Sequence, residues 1–299
     1  MFRTIESWLK DKFRLATPPT RCVFFCDLDG TLLTAKRNSR KFMQYWRKHF
    51  VAQHSAALVY NTGRPIQFVL EKVRDGQLCP VEFVIANQGQ NIYCNGKMWQ
   101  PWVEHMRTWK FTIKLVDHIE ELLRSVDVSP CTLTVDRHDF SLRFWIAGGE
   151  SWLQCADRYR QVCLSVDSFP GCWLWTYSRD EIEKEFTKDD GWKHGGLGCE
   201  LYCDRLKGSK APGAQFLLRW FDQQSNDAVP VQAIWAGDGW NDEGMLSTGW
   251  KGIIPVNGVD ELKEAARQNA NGGYTFLSTL PTEEAVVEGL QFLTSIDPP

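Results

Sequence analysis

Residues 23–34 read VFFCDLDGTLLT, an apolar run ending in two aspartates two positions apart, followed at once by glycine and threonine. Alternation along a strand puts Asp27 and Asp29 on one side, and Gly30 lets the chain turn sharply, so the two carboxylates can diverge toward one substrate. One of them can then serve as a nucleophile while the other gives a proton to the leaving group and later activates water. Aspartate and glycine also mark ordinary strand-ending turns, so the reading depends on what accompanies them.

Around this stretch strands and helices alternate. The strand at 22–27 leads to a helix near 39–53, AALVY (56–60) leads to a helix near 65–74, and the strand EFVIAN (82–87) follows. Later come a helix, KAPGAQFLLRWF (210–221), the strand VQAIWAG (231–237), a helix from 241, the strand KGIIPV (251–256) and a helix over 258–269. Such alternation implies a parallel sheet covered on both faces.

Residues 97–198 read differently. CTLTV (131–135), FSLRFWIAG (140–148) and CWLWTYS (172–178) look like antiparallel strands, with helices near 111–125 and 151–165. The expected fold is α/β: a doubly wound, Rossmann-like parallel sheet core, residues 21–96 and 199–299, with an inserted α+β cap domain, 97–198. Residues 1–20 form an extension in which Phe2, Ile5, Leu9 and Phe13 have helical spacing, stopped by Pro18 and Pro19. Glu6 and Asp11 argue against a transit peptide there.

Composition narrows the partners. A formal charge of -3 gives no basic excess for a nucleic-acid backbone, and no window nears eighteen uninterrupted apolar residues, so neither nucleic acid nor membrane is expected as a partner. Ten cysteines lack zinc-ligand spacing; Cys22/Cys26 and Cys199/Cys203 suit one buried strand face each, which fits reduced thiols in a cytoplasmic protein. Eight of the fourteen tryptophans fall in the insertion, where ring packing and stacking on a sugar are both open uses. The polar segment 179–197 is long for a connection and reads as a lid or a surface loop.

Four polar clusters fall at expected strand ends or helix starts: DLDGT (27–31), NTGR (61–64), GSK (208–210) and GDGWND (237–242). Ligands of open parallel sheets collect at that rim. Asp238 and Asp242 add carboxylates suited to Mg²⁺, and Asn241 can orient Asp242 or a metal-bound water. Thr62 and the amides around Gly63, ahead of a helix opened by Pro65, suit a phosphate. Lys210 at a helix start is unfavourable by the helix dipole, so something negative is expected beside it. Together the clusters describe Mg²⁺-assisted phosphoryl transfer.

The ordered set DLDGT, NTGR, GSK before APGAQFLL, and GDGWNDEGML resembles the four motifs of the haloacid dehalogenase superfamily of phosphohydrolases. With the insertion between the second and third motifs, the chain is similar to the type IIB branch. The resemblance implies Asp27 as nucleophile, Asp29 as general acid/base, Thr62 as a phosphate-binding hydroxyl and Lys210, with Lys207 its rival, as the motif lysine. It implies Mg²⁺ held by Asp27, Asp238, Asp242 and the backbone carbonyl of Asp29. Gly63, Arg64, Asn87, Gln88, Gly89 and Arg143 are the implied substrate contacts, with Trp145, Trp175 and His194 further candidates in the cap. Within the branch the layout resembles sucrose-phosphate phosphatases, from which it departs at Asn91, at Pro65 and in the length of 179–197. The implied substrate is a phosphorylated sugar over which the cap closes. A phosphotransferase or mutase of the same superfamily, and a non-catalytic binding protein on this scaffold, are the alternatives.

Overall fold

The computed structural model describes residues 20–33, 39–51, 55–148, 152–167, 169, 172–176, 197–203, 205–225, 229–269 and 274–296. The expected N-terminal helix, His194 and the 179–197 segment up to residue 196 lie outside the described residues. The chain divides into two compact units, Met1–Trp99 with Ser209–Pro299, and Gln100–Gly208.

In chain order the strands are β1 Cys22–Cys26, β2 Ala56–Asn61, β3 Phe83–Ala86, β4 Asn91–Cys94, β5 Lys97–Met98, β6 Cys131–His138, β7 Ser141–Gly148, β8 Cys172–Trp175, β9 Leu197–Cys203, β10 Gln232–Ala236, β11 Lys251–Ile254 and β12 Thr275–Leu277. The first unit holds an eight-stranded sheet in the order β12-β11-β10-β1-β2-β3-β4-β5. It is parallel from β12 to β3, and β4 and β5 complete it antiparallel. β1 is buried along its whole length, which explains why CVFFC carries no polar face. Cys26 lies opposite Tyr60 on one side and Ala236 on the other. The carboxyl ends of β1, β2 and β10 are therefore level, and the chain beyond each of them issues at one rim.

Aromatic rows secure this sheet. Phe42, Trp46 and Phe50, four residues apart along a helix that runs α over Arg40–Tyr45 and π over Trp46–Phe50, stack in a line. Trp46 lies 5.8 Å from Phe24 of β1. Burying each such side chain contributes roughly 1.5–3 kcal/mol. Elsewhere in the unit Phe83, Trp99 and Trp220 meet edge to face at 5.2–5.3 Å, the arrangement that ring quadrupoles favour. Trp99 is thus a packing residue.

The second unit is a four-stranded antiparallel sheet, β6-β7-β9-β8, packed by helices Ile113–Ser125 and Trp152–Asp167. The first of these helices is capped by Thr112, whose hydroxyl accepts the N–H of Leu115. Both boundaries of the insertion differ from the sequence reading, which placed it at 97–198: Lys97–Met98 is β5 of the first sheet, so the second unit begins at Gln100, and the returning core begins later than residue 199. β9 pairs with β7 and β8 through Phe144↔Cys199 and Leu174↔Leu201, so residues up to Gly208 belong to the inserted unit. LGCELYC has the composition of a buried strand in either sheet, and only pairing decides which.

None of the ten cysteines is in a disulfide, and Cys22, Cys26, Cys199 and Cys203 are buried strand residues. No described helix is long and apolar enough to cross a membrane.

Candidate active site

The backbone of Asp27 extends the β1–β10 ladder by one bond, its N–H donating to Ala236 O at 2.9 Å. The carboxylate is thereby fixed at the sheet end, in a largely buried position. Gly30 then turns at φ +76°, and a Cβ there would lie 2.0 Å from Asp238 Oδ2, so only glycine admits the second acidic loop so close. The two loops are tied directly: Thr31 Oγ1 donates to Asp238 Oδ1 at 2.9 Å. Asn257 Nδ2 donates to Gly30 O at 2.7 Å, and Val259 N–H donates to Asp238 O at 2.8 Å.

Lys210 lies between these loops with 1% of its surface exposed. Its Nζ is 2.9 Å from both Asp27 Oδ1 and Asp242 Oδ1. The residue caps helix Ala211–Gln224, its N–H donating to Asn241 O at 3.2 Å while its carbonyl accepts Asn61 Nδ2 at 3.4 Å. Two carboxylates explain a cation at a helix start, where the dipole alone would reject it. Lys207, by contrast, is exposed. Asp242 is oriented by the N–H groups of Asp238 and Gly239, both at 3.1 Å, and by Lys210.

The charges do not balance. Burial pushes the Asp27 carboxyl up to about 8; Lys210 pulls it down, but Asp242 and Asp238 reinforce the rise. Burial, with Asp242 beside it, also raises Asp238. For Lys210 burial disfavours the ammonium, yet Asp242 and Asp27 outweigh it and hold the charge in place. Three carboxylates share one ammonium, and the cluster calls for more positive charge.

A hard cation fits that need. Single oxygens of Asp27, Asp238 and Asp242 all lie within 4.8 Å of one another. Ligands on one Mg²⁺ sit about 2.1 Å from it and so at most about 4.2 Å apart, which small side-chain rotations reach from this geometry. The Asp29 carboxylate is outside this set and 44% exposed.

Thr62 continues from β2, its N–H bonding Ile85 O at 2.8 Å and its Oγ1 accepting the N–H of Arg64 at 3.1 Å. The loop is braced from behind by Asn87, Gln88 and Gly89, three consecutive residues at positive φ (50°, 54° and 88°). Asn87 N–H donates to Arg64 O at 3.1 Å and Gln88 N–H to Thr62 O at 3.0 Å. A Cβ on Gly89 would stand 2.8 Å from Ser209 O, so this turn also sets the approach to Lys210. Asn87, expected as a substrate contact, is fully buried, and its Nδ2 faces Asn91 Oδ1 at 3.3 Å. Asn91 in turn donates to Tyr93 Oη. Gly63 keeps its place in the loop beside Thr62, and the Arg64 guanidinium is occupied by Asp29, Nε to Oδ2 at 2.7 Å and Nη2 to Oδ1 at 3.1 Å.

Arg143 belongs to the second unit. It stands on β7 opposite Glu200 of β9 and pairs with it, while Tyr202 Oη donates to the other Glu200 oxygen at 2.6 Å. Trp145 is half-buried on the same strand, and the side chain of Trp175 is outside the described residues. Thr31 and Asn257 join the site without having been singled out from sequence. Thr31 had a signal, a small hydroxyl immediately after the turn glycine; Asn257 had none beyond turn composition.

Residues 20–133 match the family model of sucrose-6F-phosphate phosphohydrolase, a stretch that contains DLDGT, NTGR and the Asn87–Gly89 turn. No curated protein matches the chain by sequence. Among solved structures, the sucrose-phosphatase of Synechocystis in complex with sucrose and phosphate aligns with a TM-score of 0.57 at 14% identity, covering 91% of this chain and 97% of that one. A haloacid dehalogenase-like hydrolase from Bacillus subtilis aligns at 0.56 and 15%, covering 95% of each. The chain has the haloacid dehalogenase-like fold. Trehalose-6-phosphate phosphatase of Aspergillus fumigatus shares that fold at 0.50 and 12% identity, covering 98% of this chain and 97% of that one. The family match and the haloacid dehalogenase-like fold together support the resemblance read from the four motifs and a phosphatase of this type.

Proposed function

We propose that the protein is a Mg²⁺-dependent phosphomonoester hydrolase that cleaves a sugar phosphate through an aspartyl-phosphate on Asp27. The observation that carries this reading is Lys210 bridging Asp27 and Asp242, with Asp238 alongside and the Thr62 loop at the same rim. Asp27 Oδ attacks phosphorus as the bond from phosphorus to the ester oxygen breaks, and Asp29 delivers a proton to that oxygen. A water then attacks phosphorus, Asp29 takes its proton, and the bond to Asp27 breaks to leave free phosphate. Lys210 offsets the charge of Asp27 and Asp242 so that a phosphoryl group can approach, while the Thr62 hydroxyl and the amides near Gly63 hold its oxygens. Asp27, Asp238 and Asp242, with the carbonyl of Asp29, would hold Mg²⁺, which when bound polarises the phosphoryl group and neutralises the charge developing on it.

The family match and the sucrose-bound neighbour support a phosphorylated sugar as substrate class. We assign the choice of sugar to the second unit, and a cytoplasmic setting to a chain with ten cysteines and no disulfide. The test is phosphate release, with Mg²⁺, from sucrose 6-phosphate, trehalose 6-phosphate, glucose and mannose phosphates and an aryl phosphate, with Asp27→Asn in parallel. The reading expects one sugar phosphate to dominate and its turnover to vanish in the variant. A folded protein inert on the whole panel, or a variant as active as the parent, overturns it.

A further inference from the structure

Arg64 is held from several sides. Its N–H donates to Thr62 Oγ1 at 3.1 Å, its carbonyl accepts Asn87 N–H at 3.1 Å, and Pro65 follows at φ −69°. Its Cζ lies 5.1 Å from the centre of the Phe68 ring, a cation–π contact that steadies the guanidinium. Asp29 is in the opposite condition: it precedes a glycine at φ +76°, and its carboxylate is 44% exposed. A half-exposed carboxylate beside a glycine turn has several staggered rotamers, each aiming its oxygens elsewhere. The two-point fork from Arg64, 2.7 Å and 3.1 Å, selects one of them. An ion pair this exposed adds little to stability, so its use lies in geometry.

We propose that Arg64 is the positioning residue for Asp29, acting on the reaction through that carboxylate and not by holding the phosphoryl group. The inference rests on Asp29 being the acid/base of the proposed phosphatase. The short Nε–Oδ2 contact is the pivot, and the longer Nη2–Oδ1 contact is the one that opens when Oδ1 turns to the ester oxygen. Arg64 then matters in proportion to how much the leaving group needs a proton. A basic alkoxide needs one; 4-nitrophenolate leaves without it.

The test compares benzyl phosphate with 4-nitrophenyl phosphate, both with Mg²⁺ and both independent of which sugar the protein prefers. The expected result is that Arg64→Gln lowers kcat/KM for benzyl phosphate by on the order of 10- to 100-fold, the scale of impaired general acid catalysis. The loss on 4-nitrophenyl phosphate should be at least about tenfold smaller by the same reasoning. Arg64→Lys, which offers a point charge in place of a fork, should restore only part of the benzyl phosphate rate. Equal losses on the two esters with raised KM would make Arg64 a phosphoryl ligand and overturn the proposal, as would no loss on either. Wild-type protein that is folded but inert on both esters and on every sugar phosphate of the panel would overturn the phosphatase reading itself, and the inference with it.

Discussion

Replacing Lys210 by methionine, similar in length and without charge, tests the electrostatics of the cluster. Each 2.9 Å contact from Nζ to a carboxylate oxygen represents about 6 kcal/mol of attraction at an effective dielectric near 20. Much of this is offset by burying the ammonium, which is why the net figure comes from pair-breaking: removing one partner of a buried ion pair costs about 3–5 kcal/mol. At about 2–3 °C per kcal/mol for a chain of this size, metal-free Lys210→Met should unfold roughly 6–15 °C below the parent. The assay is thermal unfolding by circular dichroism in EDTA at neutral pH. Two changes should recover part of the loss, because each relieves the same repulsion: adding Mg²⁺, or combining the substitution with Asp27→Asn. A metal-free midpoint within about 2 °C of the parent, less than one kcal/mol by the same conversion, would refute the claim that Lys210 neutralises these carboxylates.

Three further outcomes follow from the same geometry. The Asp27 carboxyl is pushed up to about 8 in the fold, against about 3.9 for an unfolded chain, so this group subtracts stability as pH climbs between those values. In EDTA the midpoint of Asp27→Asn should therefore gain on the parent from pH 5 to pH 8, and a variant midpoint that falls relative to the parent's over that range contradicts the sign. Mg²⁺ at a hundred times its dissociation constant adds about 2.7 kcal/mol and should raise the parent midpoint by about 5–8 °C; Asp238→Asn should blunt this, and an unchanged parent midpoint contradicts the metal site. Gly30→Ala places a Cβ against Asp238 Oδ2 at positive φ, whereas Gly76→Ala at φ +70° meets nothing within 4 Å. Both carry left-handed strain of about 1–3 kcal/mol, but only the first should weaken Mg²⁺ binding by calorimetry; equal weakening, or none, sinks the account of the Gly30 turn.

The strands that carry the site were legible because a strand buried on both faces must be a short apolar run, as CVFFC, AALVY and QAIWA are. The four motifs were legible because polar residues at the ends of such runs stand out. The β4–β5 hairpin went unread although Asn95-Gly96, at φ 50° and 76°, is the tight-turn dipeptide of hairpins. β12 and the helix Thr282–Ile296 were not expected either, and TFL is only three residues long. β9 was legible as a strand, but its partners lie far along the chain and no local pattern names them. The same holds for Arg64 and Asp29, 35 residues apart. Their fork exists because β1 and β2 end level, a fact of sheet register that neither motif carries.

Covalent transfer to Asp27 leaves an acyl phosphate that can be trapped chemically. Wild-type protein would be mixed with Mg²⁺ and its best substrate, quenched, reduced with borohydride and mapped by peptide mass spectrometry. The Asp27 side chain alone should be converted to the alcohol that an acyl phosphate yields, and only when substrate is present. An unmodified Asp27 in protein that turns over substrate, with folded Asp27→Asn retaining that turnover, would contradict it.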